Sequence, residues 1–202
     1  MSSSGDTIAA IRAGELVVIP TDTVYGLACT AYDEQPVRAL SALKGRAAGQ
    51  PIALVAVSVD VLVECVPELR GRAAVLARAL LPGPYTLVLP NPSRRYPWLT
   101  GDLPNTIGVR VPEVVGPARE ILDGAGAIAA TSANRHGDAD PGRLRDVPRD
   151  ILTAVAAAVD GGDLPGIPST VLDLTGPEPR VLREGAVPSA EALLRVATVF
   201  AE

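Results

Sequence analysis

The amino-acid sequence predicts an α/β fold with a mixed β-sheet. Apolar runs typical of buried strands alternate with segments of helical periodicity along the 202 residues. Glycines and prolines separate these segments, as in Pro82-Gly83-Pro84. Because no internal repeat or change in composition divides the chain, we expect one domain over residues 1–202, with its core at about 6–187 and a C-terminal helix at about 189–199.

In the first half of the chain, the predicted elements end at residues that disfavour their continuation. A helix at 6–12 is followed by Gly14, and a helix at 35–44 is followed by Gly45. A buried strand at 15–19 ends before Pro20. Beyond these we expect a strand, two helices and a strand, at residues 52–57, 58–63, 68–81 and 85–89.

The second half is predicted mainly from short apolar and β-branched runs. Strands are expected at residues 106–111, 127–130, 170–174 and 180–182, and a helix at 117–122. Residues 154–159 are apolar and fit either a helix or a strand. The segment 135–150 is rich in Asp, Arg, Gly and Pro, which predicts a loop and a candidate lid.

Composition narrows the class of protein. Hydrophobic residues make up 48% of the chain and aromatic residues 3%, which is typical of a globular protein with an aliphatic core. A net charge of −5 disfavours a protein whose main task is to hold an RNA backbone. The N-terminus lacks the pattern of a secretion signal, and no apolar stretch approaches the roughly 20 residues that cross a bilayer. We therefore expect a cytoplasmic protein without membrane contact.

Several chemistries lack their sequence signatures. There is no GxxxxGK[ST] loop, no GxGxxG fingerprint and no GxSxG elbow around a nucleophilic serine. The two cysteines show neither a disulfide framework nor a metal-binding spacing, and His136 is the one histidine. If the protein binds a nucleotide, scattered cations must hold its phosphates.

Two polar clusters follow predicted elements in the first half. Pro20-Thr21-Asp22-Thr23 leaves a buried strand, where its side chains could bind a small polar ligand or only cap a turn. Of the 18 basic residues, Lys44 is the one lysine, and Arg46 lies two positions further on. This pair could face one anion, although a lysine before Gly45 also complements a helix dipole.

A third cluster lies on a predicted strand. Strand alternation places Thr106, Gly108 and Arg110 on one face and the apolar residues between them on the other. The polar face suits a carboxylate ligand, or it is simply a solvated outer face. Further hydroxyl, amide and guanidinium groups lie near predicted strand ends, in Thr131-Ser132-Ala133-Asn134, Pro168-Ser169-Thr170 and Arg183-Glu184-Gly185.

Seven segments in order carry a family resemblance: PTDTVYGL (20–27), KGR (44–46), LPGPYTLVL (81–89), TIGVRVP (106–112), TSAN (131–134), PSTVLDLT (168–175) and LREG (182–185). Together they resemble the YrdC-like family of threonylcarbamoyl-AMP synthases over roughly residues 10–187. The resemblance implies a twisted sheet with a concave basic surface, in the short form of the family without an extra C-terminal domain. It also implies synthesis of L-threonylcarbamoyladenylate from L-threonine, bicarbonate and ATP, for a tRNA modification.

The resemblance also implies roles for particular residues. We expect L-threonine to be bound by Thr23, Arg110, Thr131 and Ser169. We expect the nucleotide to be bound by Lys44, Arg46, Gln50, Thr106, Ser132, Ala133, Asn134 and Arg183, with Lys44 and Arg46 also acting in catalysis. Tyr25 is expected to shape the floor of the pocket, and Mg²⁺ to accompany ATP, with no metal ligands identified in the chain.

The resemblance further implies a downstream partner, a tRNA threonylcarbamoyl transferase complex, with weak or indirect tRNA binding by this chain. The sequence departs from the family pattern at Ala28, Ala47, Gln50 and His136. These departures affect the expected nucleotide contacts near Gln50 and His136 rather than the reaction. Two other functions remain open: a carbamoyl-adenylate-forming domain, and a non-catalytic RNA-binding module.

Overall fold

A computed structural model describes residues 2–47 and 49–199. Of the single domain predicted over 1–202, Met1, Ala48 and residues 200–202 lie outside the described residues. Nine strands form one mixed sheet within the described part: Val17–Ile19 (β1), Gly26–Thr30 (β2), Ala53–Val55 (β3), Tyr85–Pro90 (β4), Thr106–Arg110 (β5), Ile128–Ser132 (β6), Ala157–Ala158 (β7), Thr170–Asp173 (β8) and Arg180–Arg183 (β9).

Helices flank this sheet on both faces. Their bounds are Ser4–Arg12 (α1), Glu34–Lys44 (α2), Val59–Cys65 (α3), Gly71–Leu80 (α4), Pro97–Thr100 (α5), Gly116–Ala125 (α6), Arg149–Ala154 (α7) and Ser189–Thr198 (α8), with a 3₁₀ turn at Leu144–Asp146. In residues 2–47 and 49–199, no helix has both the length and the apolar character needed to span a bilayer. The predicted α/β class is confirmed.

The strand order is β7-β1-β2-β6-β3-β5-β4-β8-β9. The pairs β1–β7, β3–β5 and β4–β8 are parallel, and the other neighbouring pairs are antiparallel. The sheet is therefore mixed, as the sequence predicts. Neighbouring strands are often far apart in sequence, so residues distant along the chain become neighbours across the sheet.

The two faces of the sheet are covered unequally. One face packs against apolar residues of α2, α3, α4, α5 and α8, which form the larger core. On the other face, α1 and α6 cover the half that contains β1, β2 and β6, through residues such as Ile11 and Ile121. No described helix covers the remaining half of that face, around β5, β4 and β8, and a cavity lies there.

The end of α2 determines where the basic segment 44–46 goes. Asp33 begins the helix, since its side chain accepts a hydrogen bond from the Gln35 amide at 2.9 Å. Gly45 ends it in the left-handed conformation, with φ of +72°. Lys44 therefore belongs to the last helical turn, whereas Arg46 follows a sharp change in chain direction.

The structure contains elements that the sequence did not predict. Strand β2 was missed because its residues, GLACT, are almost all buried and show no alternation. The one-turn helix α5 and the helix α7 were also missed, and α7 takes up the end of the predicted loop 135–150. Strand β6 extends to Ser132, so Thr131 and Ser132 belong to the strand rather than to the segment that follows it.

Candidate functional site

A cavity of about 270 Å³ lies on the face of the sheet that α1 and α6 cover in part, where it extends from β4, β5 and β8 to residues of β2, β3 and β6. Its floor is made by small residues of four strands: Gly26, Ala53, Gly108 and Ala130. A Cβ atom added to Gly108 would lie 3.9 Å from both the Ala53 Cα and the Thr86 Cγ2, which is ordinary contact. The missing side chain at this position therefore adds depth to the cavity rather than relieving a backbone clash.

Strand alternation brings polar side chains to the same face. The predicted division of β5 is confirmed, because Ile107 and Val109 are buried in the core while Gly108 and Arg110 line the cavity. The lining includes seven of the predicted site residues: Arg46, Thr106, Arg110, Thr131, Ser132, Ser169 and Arg183. Residues separated by up to 137 positions in the sequence thus converge on one hollow.

Arg110 projects from the end of β5 and is held by the segment after β1. Its Nη2 donates to the Asp22 carboxylate and, at 2.6 Å, to the Thr23 hydroxyl. The Asp22 carboxylate also accepts from the Glu113 amide at 3.1 Å. The Nε of Arg110 is buried and has no partner among the described residues. Arg110 is therefore oriented by the protein and retains an N–H group that no described residue uses.

Arg46 enters the cavity from the turn after α2. Its Nη1 donates to the Thr131 hydroxyl at 3.0 Å and its Nη2 to the Pro51 carbonyl at 2.8 Å. Its Nε is buried and has no partner in the described part of the chain. Burial, and secondly the charge of Arg183, lowers the pKa of Arg46 below its usual value. A bound anion would offset both effects, because an opposite charge stabilises the charged form of the guanidinium.

Arg183 reaches the cavity from β9 and contacts Ser169. It donates to the Ser169 carbonyl from Nη2 at 2.8 Å and from Nε at 3.3 Å. The Ser169 hydroxyl lies 2.8 Å from the Thr86 hydroxyl, and one of the two donates a hydrogen bond to the other. Burial lowers the pKa of Arg183, and the positive charge of Arg110 lowers it further. The negative charge of Asp140 acts in the opposite direction. Arg183 is therefore close enough to Arg110 and Arg46 for electrostatic repulsion between these cations.

Lys44 does not line the cavity in the described structure. It is only 4% exposed, and its ammonium donates to the Ser132 carbonyl at 2.6 Å and to Asn134. The pKa of Lys44 is lowered to about 8, mainly by burial. The positive charges of Arg46 and Arg183 also lower this pKa, whereas the negative charge of Asp140 raises it. Of the two predicted catalytic cations, the structure brings Arg46 to the cavity and places Lys44 behind it.

Four other predicted site residues lie next to the cavity rather than on its surface. Thr23, Ala133 and Asn134 are buried, with exposures of 1%, 0% and 5%. The side-chain oxygen of Gln50 is also buried, without a partner among the described residues. Thr23 still contacts the site through Arg110, and Asn134 contacts it through Ser132, whose hydroxyl donates to the Asn134 side-chain oxygen at 2.7 Å.

Tyr25 does not lie at the floor of the cavity, where it was expected. Alternation along the chain turns Gly26 to the cavity and Tyr25 to the larger core on the opposite face, where its ring is completely buried. Its hydroxyl lies 2.9 Å from Asp160, from the Gly162 carbonyl and from the Gly161 amide. Tyr25 therefore connects the segment after β7 to the strand beneath the site.

Sequence reasoning missed some residues of the site. The ion pair of Asp22 with Arg110 joins residues 88 positions apart, and the local sequence indicates only a polar or turn-capping role for Asp22. Thr86 lines the cavity because it alternates with buried residues of β4, a signal that was available in the sequence. The exposed leucines Leu103 and Leu182 line the cavity as well, and nothing in the local sequence indicates this.

The cavity lining combines three guanidinium groups with several hydroxyl groups. Within residues 2–47 and 49–199, the lining contains no Asp or Glu side chain. The same part of the chain has no group of three or more His, Cys, Asp and Glu side chains that could hold a metal ion. Such a surface binds anions, and its hydroxyl groups can orient polar substituents beside them.

Comparison with known proteins shows extensive similarity. Residues 9–185 match the protein family Sua5_yciO_yrdC, described as telomere recombination. The chain is 38% identical over 182 residues to the threonylcarbamoyl-AMP synthase of Pyrococcus abyssi, a match that covers 90% of this chain and 53% of that protein. It is 35% identical over 204 residues to the human threonylcarbamoyl-AMP synthase, covering 93% of this chain and 69% of the human protein.

A solved structure gives the same result for the fold. The crystal structure of P. abyssi Sua5 complexed with L-threonine superposes with a TM-score of 0.82 at 34% identity, covering 100% of this chain and 59% of that chain. The chain thus spans about half the length of the Pyrococcus relative.

Proposed function

The chain belongs to the Sua5_yciO_yrdC family, and on that premise we propose that it is a threonylcarbamoyl-AMP synthase. The reaction joins L-threonine, bicarbonate and ATP into L-threonylcarbamoyladenylate and releases pyrophosphate. One observation carries the proposal: Arg46, Arg110 and Arg183 face one cavity whose described lining has no carboxylate. Among the described residues, only Arg110 of these three cations pairs with a carboxylate, that of Asp22, which lies outside the lining. The remaining positive charge suits a ligand with several negative charges, such as a triphosphate beside an amino-acid carboxylate.

The reaction needs positioning and charge neutralisation rather than a nucleophilic side chain. The threonine amine combines with CO₂ derived from bicarbonate to give a carbamate. A carbamate oxygen then attacks the α-phosphorus of ATP, and the bond from that phosphorus to the pyrophosphate oxygen breaks. Negative charge increases on the departing pyrophosphate, and fixed cations stabilise that charge without reorganising.

Arg110 is the group that we assign to the threonine carboxylate. It has an unused N–H group, and the Asp22 and Thr23 contacts hold its guanidinium in place before substrate arrives. The Thr131 and Ser169 hydroxyls lie in the same lining and would orient the amine and hydroxyl of threonine. Thr23, which is buried, would contribute through its contact with Arg110. Charge-assisted contacts of this kind are about twice as strong as neutral ones.

Arg46 and Arg183 are assigned to the phosphates, with Thr106 and Ser132 beside them in the lining. We propose that Ala133, Asn134 and Gln50 shape the nucleotide site from behind the surface. Mg²⁺ would enter as the complex with ATP, with phosphate oxygens and water as its main ligands, since the described residues contain no group of three or more His, Cys, Asp and Glu side chains that could hold it.

The product is a mixed anhydride that hydrolyses readily, so an acceptor must use it soon after release. We propose that this acceptor is a tRNA threonylcarbamoyl transferase complex. Direct binding of tRNA by this chain is expected to be weak, in keeping with its net charge of −5.

The proposal is tested by identifying the product. Purified protein is incubated with Mg²⁺-ATP, L-threonine and bicarbonate, and the mixture is analysed by mass spectrometry for threonylcarbamoyl-adenylate and by an enzymatic assay for pyrophosphate. Reactions that lack threonine, or contain carbamoyl phosphate in its place, serve as controls. Product formed only from carbamoyl phosphate, or salt-sensitive tRNA binding without ATP turnover, would reject the proposal.

A further inference from the structure

The ammonium of Lys44 is fully used by the protein itself. An ammonium has three N–H donors, and four acceptor atoms surround this one. They are the Ser132 carbonyl at 2.6 Å, the Ser132 hydroxyl at 3.2 Å, the Asn134 carbonyl at 3.2 Å and the Asn134 side-chain oxygen. No donor remains for a ligand in this arrangement.

The last turn of α2 makes further contacts with the same segment. The His136 amide donates to the Lys44 carbonyl at 3.0 Å, and Arg135 Nη1 donates to the Leu43 carbonyl at 2.6 Å. Segment 132–138 is thus attached to α2 through both backbone and side chain. Asn134 closes the segment on itself, since its Nδ2 donates to the Asp138 carbonyl at 2.6 Å.

Ser132 lies between Lys44 and the cavity. It lines the cavity, while its carbonyl and hydroxyl groups both accept from the buried ammonium. Lys44 is placed to act on a ligand through Ser132, whereas Arg46 lines the cavity directly.

We propose that Lys44 is a positioning residue, whose ammonium holds segment 132–138 against the end of α2 and so sets the geometry of Ser132 and Asn134 beside the nucleotide. The identity of the ligand rests on the proposed function. Within that function, Lys44 positions Ser132 and Asn134 instead of contacting the nucleotide itself. Lysine suits this place because a compact ammonium offers three donors in a pyramidal arrangement, which a planar guanidinium does not.

Hydrogen–deuterium exchange without substrates tests the structural half of the proposal. In Lys44→Met, which keeps the length of the side chain and removes its donors, the backbone amides of 133–138 should exchange at least about tenfold faster than in the wild type. The matched control is Arg46→Met, which removes the cation that lines the cavity and should leave those amides unchanged. Unchanged exchange in Lys44→Met would overturn the proposal.

A double-mutant cycle tests the functional half. Lys44→Met and Asn134→Ala are each expected to lower kcat/KM for adenylate formation about tenfold or more, and the double variant should lose little beyond the worse single variant. A residue that bound phosphate independently of Asn134 would instead give losses that multiply, which would overturn the positioning role. If Lys44→Met does not fold, faster exchange of 135–138 in Asn134→Ala supports the attachment, and unchanged exchange overturns it.

The exchange experiment needs no turnover, so the two proposals fail separately. If the wild type makes no adenylate, the proposed function is rejected, and the exchange result still decides whether Lys44 holds the segment.

Discussion

The guanidinium of Arg110 donates to the carboxylate of Asp22 at the edge of the cavity, and the two side chains are 11% and 10% exposed. The pair joins the end of β5 to the segment that follows β1. It orients Arg110 before any ligand is present, but it also puts a negative charge beside the place assigned to the threonine carboxylate. Two predictions follow from these opposing effects.

Replacing Arg110 should affect threonine binding most strongly. Arg110→Ala is expected to raise the KM for L-threonine by about tenfold or more, the loss of one charge-assisted contact, while the KM for ATP changes much less. Steady-state pyrophosphate release at varied threonine measures this. Arg119→Ala, on the exposed pair Arg119–Asp123, is the matched control. An unchanged threonine dependence in Arg110→Ala would contradict the assignment.

Removing the charge of Asp22 should lower the KM for L-threonine, the opposite of the effect expected for Arg110→Ala. Asp22→Asn keeps an oxygen that can accept from Arg110, and it removes a negative charge close to the bound carboxylate. We expect the KM for L-threonine to fall by about threefold, because a like charge nearby weakens anion binding. Steady-state pyrophosphate release at varied threonine measures this change, with Asp123→Asn as the control. A raised KM would indicate that the orientation of Arg110 depends on the full charge of Asp22.

Arg46 should act on the phosphates. Arg46→Ala is expected to lower the rate of adenylate formation at least about tenfold, or about 1.4 kcal/mol of transition-state stabilisation. Its control is Arg38→Ala on α2, whose exposed pair with Glu34 should contribute little. A near-normal rate of pyrophosphate release in Arg46→Ala would remove this residue from the site.

The pH dependence of the reaction should report the state of Lys44. Burial lowers the pKa of Lys44 to about 8. The charges of Arg46 and Arg183 act in the same direction as burial, whereas the charge of Asp140 opposes it. The ammonium is therefore present below about pH 8 and is lost as the pH rises, together with one donor to segment 132–138. Above that pH we expect kcat/KM to decline relative to its value at the optimum.

Asp140→Asn provides the test of that assignment. Without the negative charge of Asp140, the pKa of Lys44 falls further, so the alkaline decline in kcat/KM should begin at lower pH than in the wild type. Arg183, which also senses Asp140, stays protonated throughout this range. A profile that does not move, or moves to higher pH, would show that another group causes the decline.

Two buried tyrosines should respond differently to loss of the hydroxyl. Tyr25→Phe removes the contacts with Asp160, Gly161 and Gly162 and leaves a backbone amide without its partner, so the free energy of unfolding should fall by about 1–3 kcal/mol. Tyr85→Phe is the matched control, because the Tyr85 hydroxyl is buried without a partner among the described residues. Urea denaturation of both variants measures the difference. Equal destabilisation would mean that the Tyr25 contacts contribute no net stability.

Local patterns in the sequence determined the elements and their faces. Alternation in 106–110 predicted which side chains of β5 meet the core and which lie on the opposite face, and Gly45 predicted the end of α2. Such features follow from the geometry of a single strand or helix, so a short stretch of sequence is enough to predict them. Strand β2 was missed for the same reason, since a strand that is buried on both faces shows no alternation.

Only the tertiary structure decided which groups meet. Lys44 and Arg46 are two residues apart, yet the turn at Gly45 places one beneath segment 132–138 and the other in the cavity. Asp22 meets Arg110, and Lys44 meets Ser132, each across 88 positions of the chain. Contacts over such separations depend on strand order and on how the helices cover the sheet, and no pattern within either segment specifies these.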